Sequence, residues 1–330
     1  MHALVTGGGG FLGRAVTTQL LARGDRVSIL ARGRHPEVEA LGARGLQADL
    51  CDPASLHGLL EGVDLVFHVA SRTGVWGDEA DFLRTNVDGT GNLLAACRAQ
   101  GVGRLVYTGS PSATFDGRDA ENATEAEQPY PTHFEAPYPK SKALAEQLVL
   151  AANGPELVTT AVRPHLIYGP GDPHIVPRLI ARRRQGRLLR VGEGNNRVGI
   201  TYIDNAAVAH LQAADALAPG SANAGKAYFV TDGPPVVLWQ WIDALLVGVG
   251  QAPVQRHVSR GTAQTLGGLL EWTWRTLGRS GEPPMTRFVA AELVSSHWYD
   301  LSAAQADFGY RPLLSGEEGL RRTIEAFAGA

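Results

Sequence analysis

Four consecutive glycines, Gly7-Gly8-Gly9-Gly10, followed by Phe11-Leu12-Gly13, stand between the apolar stretch His2–Thr6 and a helical pattern. The frame is Gly7-x-x-Gly10-x-x-Gly13. A strand that ends in such a loop and opens a helix turns backbone N–H groups and a helix N-terminus toward one point, which suits a pyrophosphate. The glycines allow a tight turn, close approach of phosphates and close helix–strand packing. A glycine pattern alone is weak, but the strand–loop–helix setting gives it meaning. Gly7, Gly10, Phe11, Leu12 and Gly13 are therefore candidate dinucleotide-binding residues.

The first half of the chain continues in the same rhythm. Arg26–Ala31, Leu65–His68, Arg104–Thr108 and Thr159–Arg163 read as strands, and Phe11–Arg23, Asn86–Gln100 and Tyr138–Ala152 as helices. Alternation of this kind predicts an α/β fold with a Rossmann-type, doubly wound parallel sheet. After Gly169-Pro-Gly-Asp-Pro173 the texture is less regular, and five of the six tryptophans lie beyond residue 238. Residues 1–168 are expected to form the dinucleotide-binding domain. Residues 169–330 are expected to form a smaller, mixed substrate-binding region that returns in places to the first domain. The helix from Asp204 to Leu217 is given Asp204 as its N-cap.

The charge balance, 30 basic against 33 acidic residues, gives no nucleic-acid footprint. Arg182-Arg183-Arg184 reads as a solvated helix face. Cys51 and Cys97 form no CxxC pair, and the ten histidines show no metal-ligand spacing, so no metal site is expected. No secretory signal and no apolar run long enough to span a bilayer is visible, which predicts a soluble cytoplasmic protein.

The second strand ends Ile29-Leu30-Ala31-Arg32, without the acid that would accept hydrogen bonds from ribose hydroxyls. Arg32, Arg34 and His35 stand there instead. Cations at that point favour a 2′-phosphate and hence NADP(H) over NAD. Asp49-Leu50 follows a further strand. Asp49 has two readings, holding the adenine amino group or capping a helix at Pro53–Leu60.

Tyr138 and Lys142 are four residues apart and share a helix face. A free phenol, with a pKa of about 10, is a poor acid–base group at neutral pH. A neighbouring ammonium lowers that value, and Tyr138 then exchanges a proton with a carbonyl oxygen as hydride reaches the carbon. Lys140, two residues along, faces away. A third group should polarise the carbonyl. Ser110, at the end of the fifth strand, is the first choice, with Ser112 and Thr108 as alternatives. Asn86 reads either as a network residue or as a helix N-cap.

These pieces together resemble the extended short-chain dehydrogenases/reductases. The resemblance rests on Thr6–Gly13, Asp64–Ala70, Asn86–Thr90, Tyr138 with Lys142, Arg163-Pro164 with Tyr168–Gly171, and Tyr202–Asn205, in order along most of the chain. It implies that Ala70 and Pro164 also line the cofactor site, and that Lys142 hydrogen-bonds the nicotinamide ribose. Within that family, Pro283–Phe288, His297-Trp298-Tyr299 and Asp307–Pro312 are similar to the 3β-hydroxysteroid dehydrogenase-like branch. Gly74–Gly77, Gly103–Thr108, Ala136-Pro137-Tyr138, Lys142–Gln147 and Thr201–Ala207 are similar to the bacterial 2-alkyl-3-oxoalkanoate reductases of long-chain olefin biosynthesis. That likeness implies NADPH reduction of the 3-keto group of a hydrophobic keto acid. It also implies a homodimer built on the helices of Asn86 and Tyr138, and association with the β-lactone synthetase and β-lactone decarboxylase of the same pathway. One position departs from the pattern: Gly109 replaces the Ser or Thr that relatives often place before Ser110.

Candidate substrate walls are Trp76, the loop Thr114–Pro137, Tyr168 and the segment Leu266–Leu277. Leu266, Leu269, Leu270, Trp272, Trp274 and Leu277 read either as an alkyl channel or as a helix packed on the core. His165 or Arg178 would supply a cation for a substrate carboxylate. The rival functions are an NAD(P)-dependent 3β-hydroxysteroid or sterol dehydrogenase, and a non-catalytic nucleotide sensor. The intact Tyr138/Lys142 pair argues against the sensor.

Overall fold

The computed structural model describes residues 1–328. Its strands are β1 (His2–Thr6), β2 (Arg26–Ala31), β3 (Arg44–Gln47), β4 (Leu65–His68), β5 (Arg104–Thr108), β6 (Ala120–Ala123), β7 (Val158–Pro164), β8 (Ile167–Tyr168), β9 (Arg190–Val191), β10 (Arg197–Val198), β11 (Thr201–Tyr202), β12 (Ala227–Val230), β13 (Val236–Val237), β14 (His257–Val258) and β15 (His297–Tyr299). Its helices are α1 (Phe11–Ala22), α2 (Pro36–Glu39), α3 (Glu79–Phe82), α4 (Gly89–Ala99), α5 (Pro137–Ala151), α6 (Ile175–Arg184), α7 (Ile203–Ala216), α8 (Leu238–Gly248), α9 (Arg260–Thr276), α10 (Arg287–Glu292), α11 (Ser302–Phe308) and α12 (Gly316–Phe327).

Seven strands form one parallel sheet in the order β12-β7-β5-β4-β1-β2-β3. This is the doubly wound sheet that the alternation predicts. Side chains of successive strand residues enter opposite cores. Ala3, Val5, Leu65, Phe67 and Val106 face the layer of α1 and α7. Leu4, Val66, Leu105 and Tyr107 face the layer that includes Leu93 of α4 and Val149 of α5. A parallel sheet covered on both sides needs such unbroken apolar strands; each fully buried leucine or phenylalanine contributes roughly 1.5–3 kcal/mol. The strand order reverses between β1 and β4, and at such a point the crevice beyond the strand ends takes a ligand. A second, mixed sheet, β13-β10-β15-β6, draws its edge strand β6 from the first half of the chain.

Several local expectations are corrected. Asn86 is not an N-cap: the helix starts at α3, capped by the Asp78 carboxylate, and passes through a wide π-helical turn at Leu83–Asp88 before α4. The helix at Pro53–Leu60 is only a 3₁₀ turn, Pro53–Leu56, capped by Asp52; Asp49 accepts instead from the Cys51 N–H. Asp204 lies in the first turn of α7 and is not its cap. Asp232 accepts both the Tyr202 N–H at that helix start and the Asn205 amide. Finally, α9 buries Ala263, Gly267 and Glu271 and turns large apolar residues outward: Leu269 is 57 % and Trp272 64 % exposed. Leu269 and Trp272 therefore do not pack on the core. A methyl group on Gly267 would lie 2.8 Å from the backbone at Thr286 and Arg287, so the glycine is what lets α9 and the start of α10 approach.

Candidate active site

The glycine loop fits a pyrophosphate. Gly7 has φ +66°, and a Cβ there would lie 2.9 Å from Ala70 Cα, so the end of β1 closes directly on the end of β4. A Cβ on Gly13 would meet the Gly7 carbonyl oxygen at 2.1 Å. The first turn of α1 has neither a side-chain cap nor an acidic residue, which leaves its N–H groups and the helix dipole open to an anion. Beside the loop a cavity of 320 Å³ is lined by Ala31, Arg34, His35, Glu39 and Gln47, among others. Arg32 is exposed and has no carboxylate partner among the described residues, whereas Arg34 pairs with Glu39 at 3.1 Å. Asp49 is exposed at the end of β3; Leu50 is buried beside it, and Pro164 closes β7.

Tyr138 is half-buried, and its phenol is surrounded by protein. Burial pushes its pKa up to about 12; the Ser110 hydroxyl pulls it down and the Glu292 charge pushes it up. An acidified phenol is thus not what the protein by itself displays. The reason lies with Lys142. Its ammonium donates to the Thr108 carbonyl at 2.5 Å, over the Tyr107 ring, and burial lowers its own pKa to about 7 despite the opposing charge of Glu146. Ser110 caps the short 3₁₀ turn Pro111–Thr114 and shares a hydrogen bond of 2.8 Å with Ser112. Thr108 is committed elsewhere. His210 gives its Nδ1–H to Ala206 O, so its Nε2 accepts the Thr108 hydroxyl proton at 2.8 Å. Lys140 points away to Glu79, as expected.

A single row of hydrogen bonds joins the phosphate loop to the tyrosine helix, and its direction is determined throughout. Ser141 Oγ donates to the Tyr138 carbonyl, and Asn86 Nδ2 donates to Ser141 Oγ. Thr90 gives its proton to Asn86 O, so it accepts from His68 Nε2–H. His68 Nδ1 then accepts from Thr6, whose oxygen receives the N–H groups of Val69 and Ala70. Burial, with the Lys142 charge, drives the His68 pKa to about 3, so the ring is a neutral spacer. Asn86 also pairs with both backbone groups of Arg72, so the network reading of this residue is the one the structure supports.

Two substrate-side expectations do not hold. His165 is no cation: His297 donates from Nε2 to Glu292 O, so His165 donates to His297 Nδ1 at 2.6 Å, and burial drives its pKa well below the usual range. Tyr168 is no wall, because it is fully buried, packs on Tyr202 and Trp241, and bonds Asp232 and Gly316 O. Arg178 is exposed but ion-paired with Glu282. On the substrate side a cleft of 320 Å³ lies between Phe115, Phe288, Pro139 and the loop around His133.

Comparison with known proteins is decisive at this point: residues 4–258 match the model of the 3-beta hydroxysteroid dehydrogenase/isomerase family. The chain belongs to the 3-beta hydroxysteroid dehydrogenase/isomerase family. It is therefore an oxidoreductase of the extended short-chain type, a group that uses NAD or NADP. Within and beside this family, the chain is 49 % identical to a 2-alkyl-3-oxoalkanoate reductase of Stenotrophomonas maltophilia, covering 98 % of each chain. It is 46 % identical to a 2-alkyl-3-oxoalkanoate reductase of Shewanella oneidensis, over 97 % of this chain and 85 % of the other. It is 34 % identical to the mouse sterol-4-alpha-carboxylate 3-dehydrogenase, decarboxylating, over 98 % and 90 %. Among solved structures, MoeE5 in complex with UDP-glucose and NAD matches with a TM-score of 0.75 and 26 % identity, over 99 % and 98 % of the two chains.

For this member of the 3-beta hydroxysteroid dehydrogenase/isomerase family the glycine before Ser110 has a local cause. Arg163 holds Glu146 through Nε and Nη2, with a shortest contact of 2.6 Å, and Tyr130 adds its hydroxyl at 2.7 Å. This buried group backs directly on Gly109. Sequence reasoning missed Glu146 and Arg163, since an acid within a helix ordinarily reads as a solvated residue. The departure at Gly109 was the available signal.

Proposed function

We propose that this protein reduces the 3-keto group of a long-chain 2-alkyl-3-oxoalkanoate to the 3-hydroxy acid, with NADPH as the preferred coenzyme. The substrate class rests on one observation, the 46–49 % identity with two reductases of that name along nearly the whole chain. When bound, the nicotinamide supplies the hydride. Gly7, Gly10 and Gly13, with the N–H groups at Phe11 and Leu12, would hold the pyrophosphate, and Ala70 and Pro164 would flank the nicotinamide half. Asp49 and Leu50 would border the adenine. Arg32, without a carboxylate partner among the described residues, and Arg34 would meet a 2′-phosphate.

In this reading Tyr138 gives its proton to the ketone oxygen as negative charge develops there, and Ser110 donates a hydrogen bond to the same oxygen. Lys142 supplies positive charge beside the phenol and a ribose contact once its ammonium leaves Thr108 O. The boundary near residue 168 between cofactor and substrate regions belongs to the same proposal. So does a homodimer through α4 and α5, on which Leu144 and Leu148, 37 % and 41 % exposed and one helical turn apart, form an outward apolar pair. Association with β-lactone-forming and decarboxylating enzymes in a cytoplasmic setting would follow from the substrate.

The test is NADPH oxidation with a synthetic 2-alkyl-3-oxoalkanoate, beside NADH with the same acid and NAD(P)⁺ with a 3β-hydroxysterol. Turnover of the keto acid at least a hundredfold faster than the sterol is expected. Preferential turnover of the sterol would transfer the assignment to the sterol dehydrogenases, to which the mouse relative lends support.

A further inference from the structure

Glu292 is the last residue of α10, one helical turn after Phe288. The two share a face, and Phe288 lines the substrate-side cleft. The rings of Phe115 and Phe288 meet edge to face at 5.9 Å, and Phe115 meets His297 at 6.0 Å, so the start of α10 is tied through Phe115 to β15. The Glu292 backbone carbonyl accepts from His297 Nε2 at 2.9 Å. Its carboxyl group, by contrast, has no hydrogen-bond or ion-pair partner among the described residues, and the side chain keeps partial exposure.

The surroundings of this carboxyl group are unusual for an acid. The titratable groups that its charge reaches are Tyr138 on α5 and Tyr299 on β15, while His297 bonds only its backbone carbonyl. At the other end of α10, Arg287 is already held by Glu271. Among the described residues no cation opposes Glu292, and burial alone raises its pKa to about 7. A carboxyl group raised to about 7 is about half protonated at neutral pH, and its protonated form has a proton to donate. It sits beside the tyrosine that would serve the ketone, and the β-keto acid of the proposed reaction carries its carboxylate two bonds from that ketone carbon.

We propose that Glu292 recognises the carboxyl end of the substrate, holding the carboxylate through one shared proton. This assignment rests on the keto-acid reading above. Two carboxyl groups that share a proton bind it more tightly than either does alone. Binding of the anionic substrate is therefore linked to Glu292 being protonated, and weakens as pH rises past its release.

The test uses the full chain and 2-hexyldecanoate, a branched carboxylate without a keto group, with its methyl ester as the control. Calorimetric titration is expected to show affinity for the acid falling roughly tenfold between pH 6 and pH 8, with proton uptake on binding. The ester is expected to bind without pH dependence. Glu292→Gln, whose amide donates at every pH, is expected to bind the acid with no such slope and to lose no thermal stability. Affinity for the acid that is flat in the unaltered protein, or equally sloped in Glu292→Gln, overturns the proposal, as does failure of the acid to bind. Reduction of keto acids without the pH slope removes the role of Glu292 and leaves the reaction standing. The slope without keto-acid reduction removes the reaction and leaves a carboxyl-binding site.

Discussion

A Cβ atom built on Gly109 lies 2.3 Å from Oε2 of Glu146 and 2.9 Å from Cγ of Arg163. The carboxylate cannot swing aside cheaply, since Arg163 and Tyr130 hold it in the interior. Gly109→Ala should therefore overpack the site and cost roughly 1–3 kcal/mol. Thermal denaturation checks this, and an unchanged Tm would show that the pair yields without strain.

Arg163→Met leaves the Glu146 charge buried without its partner, which typically costs 3–5 kcal/mol. Replacing both residues, Arg163→Met with Glu146→Leu, removes the stranded charge, and most of the lost stability should return. A double-variant cycle by urea denaturation measures this. Equal losses in the single and double variants would mean that packing, not charge, is what Arg163 supplies.

Tyr138→Phe keeps the ring and removes the proton. Ketone reduction should fall by about 10²–10⁴-fold, with NADPH affinity, followed by nicotinamide fluorescence, changed less than threefold. Normal turnover in this variant would dismiss Tyr138 as the acid.

Arg32→Ala removes the exposed cation that follows β2. A charge-assisted hydrogen bond contributes about 1.5–3 kcal/mol, so the ratio of kcat/KM for NADPH over NADH should fall roughly ten- to hundredfold. A ratio that does not move would assign the preference elsewhere, or remove it.

Acid should destabilise the fold at mild pH. Burial holds His68 at about 3 and His210 at about 4, the Lys142 charge adding to each, and His165 and His297 are lowered too. A depressed histidine lets the unfolded chain take up protons first, so stability is lost as pH falls below the unfolded value near 6.5. Between pH 7 and 5 His68 and His210 each contribute a loss of about 2 kcal/mol, and His165 and His297 act in the same direction. Glu292, raised to about 7, acts in the opposite sense and offsets roughly one histidine. Tm should drop by several degrees over that interval, and a rise would contradict neutral burial of the four rings.

The sheet and its crevice were legible because each depends on local chemistry. β1, β2, β4 and β5 are short apolar runs, β1 and β5 stopping at glycine and β2 at arginine, and the limits of all four match the structure. Tyr138, Lys142 and the glycine loop could be read because their spacing on a helix or turn is itself the chemistry. Contacts made across the sequence were not readable. Nothing local indicates that Asp232 would hold the start of α7, that Tyr168 would be buried against Trp241, or that His165 would meet a histidine 132 residues away. The segment α9 misled for another reason. Periodicity locates an apolar stripe without saying which side faces the protein, and here the close approach to α10 selects the glycine and alanine side.

The file of donors from Val69 and Ala70 through Thr6, His68 and Thr90 to Asn86, taken up again by the Asn86 amide toward Ser141 and Tyr138, has a polarity as fixed as that of a sentence. Reversing one hydroxyl would leave a carbonyl without its proton at one neighbour and set two protons facing each other at the next. The seat of the phosphates and the foot of the tyrosine helix are thus kept in register by orientation as much as by distance. A wrong imidazole tautomer at His68 would disturb both ends of the crevice at once.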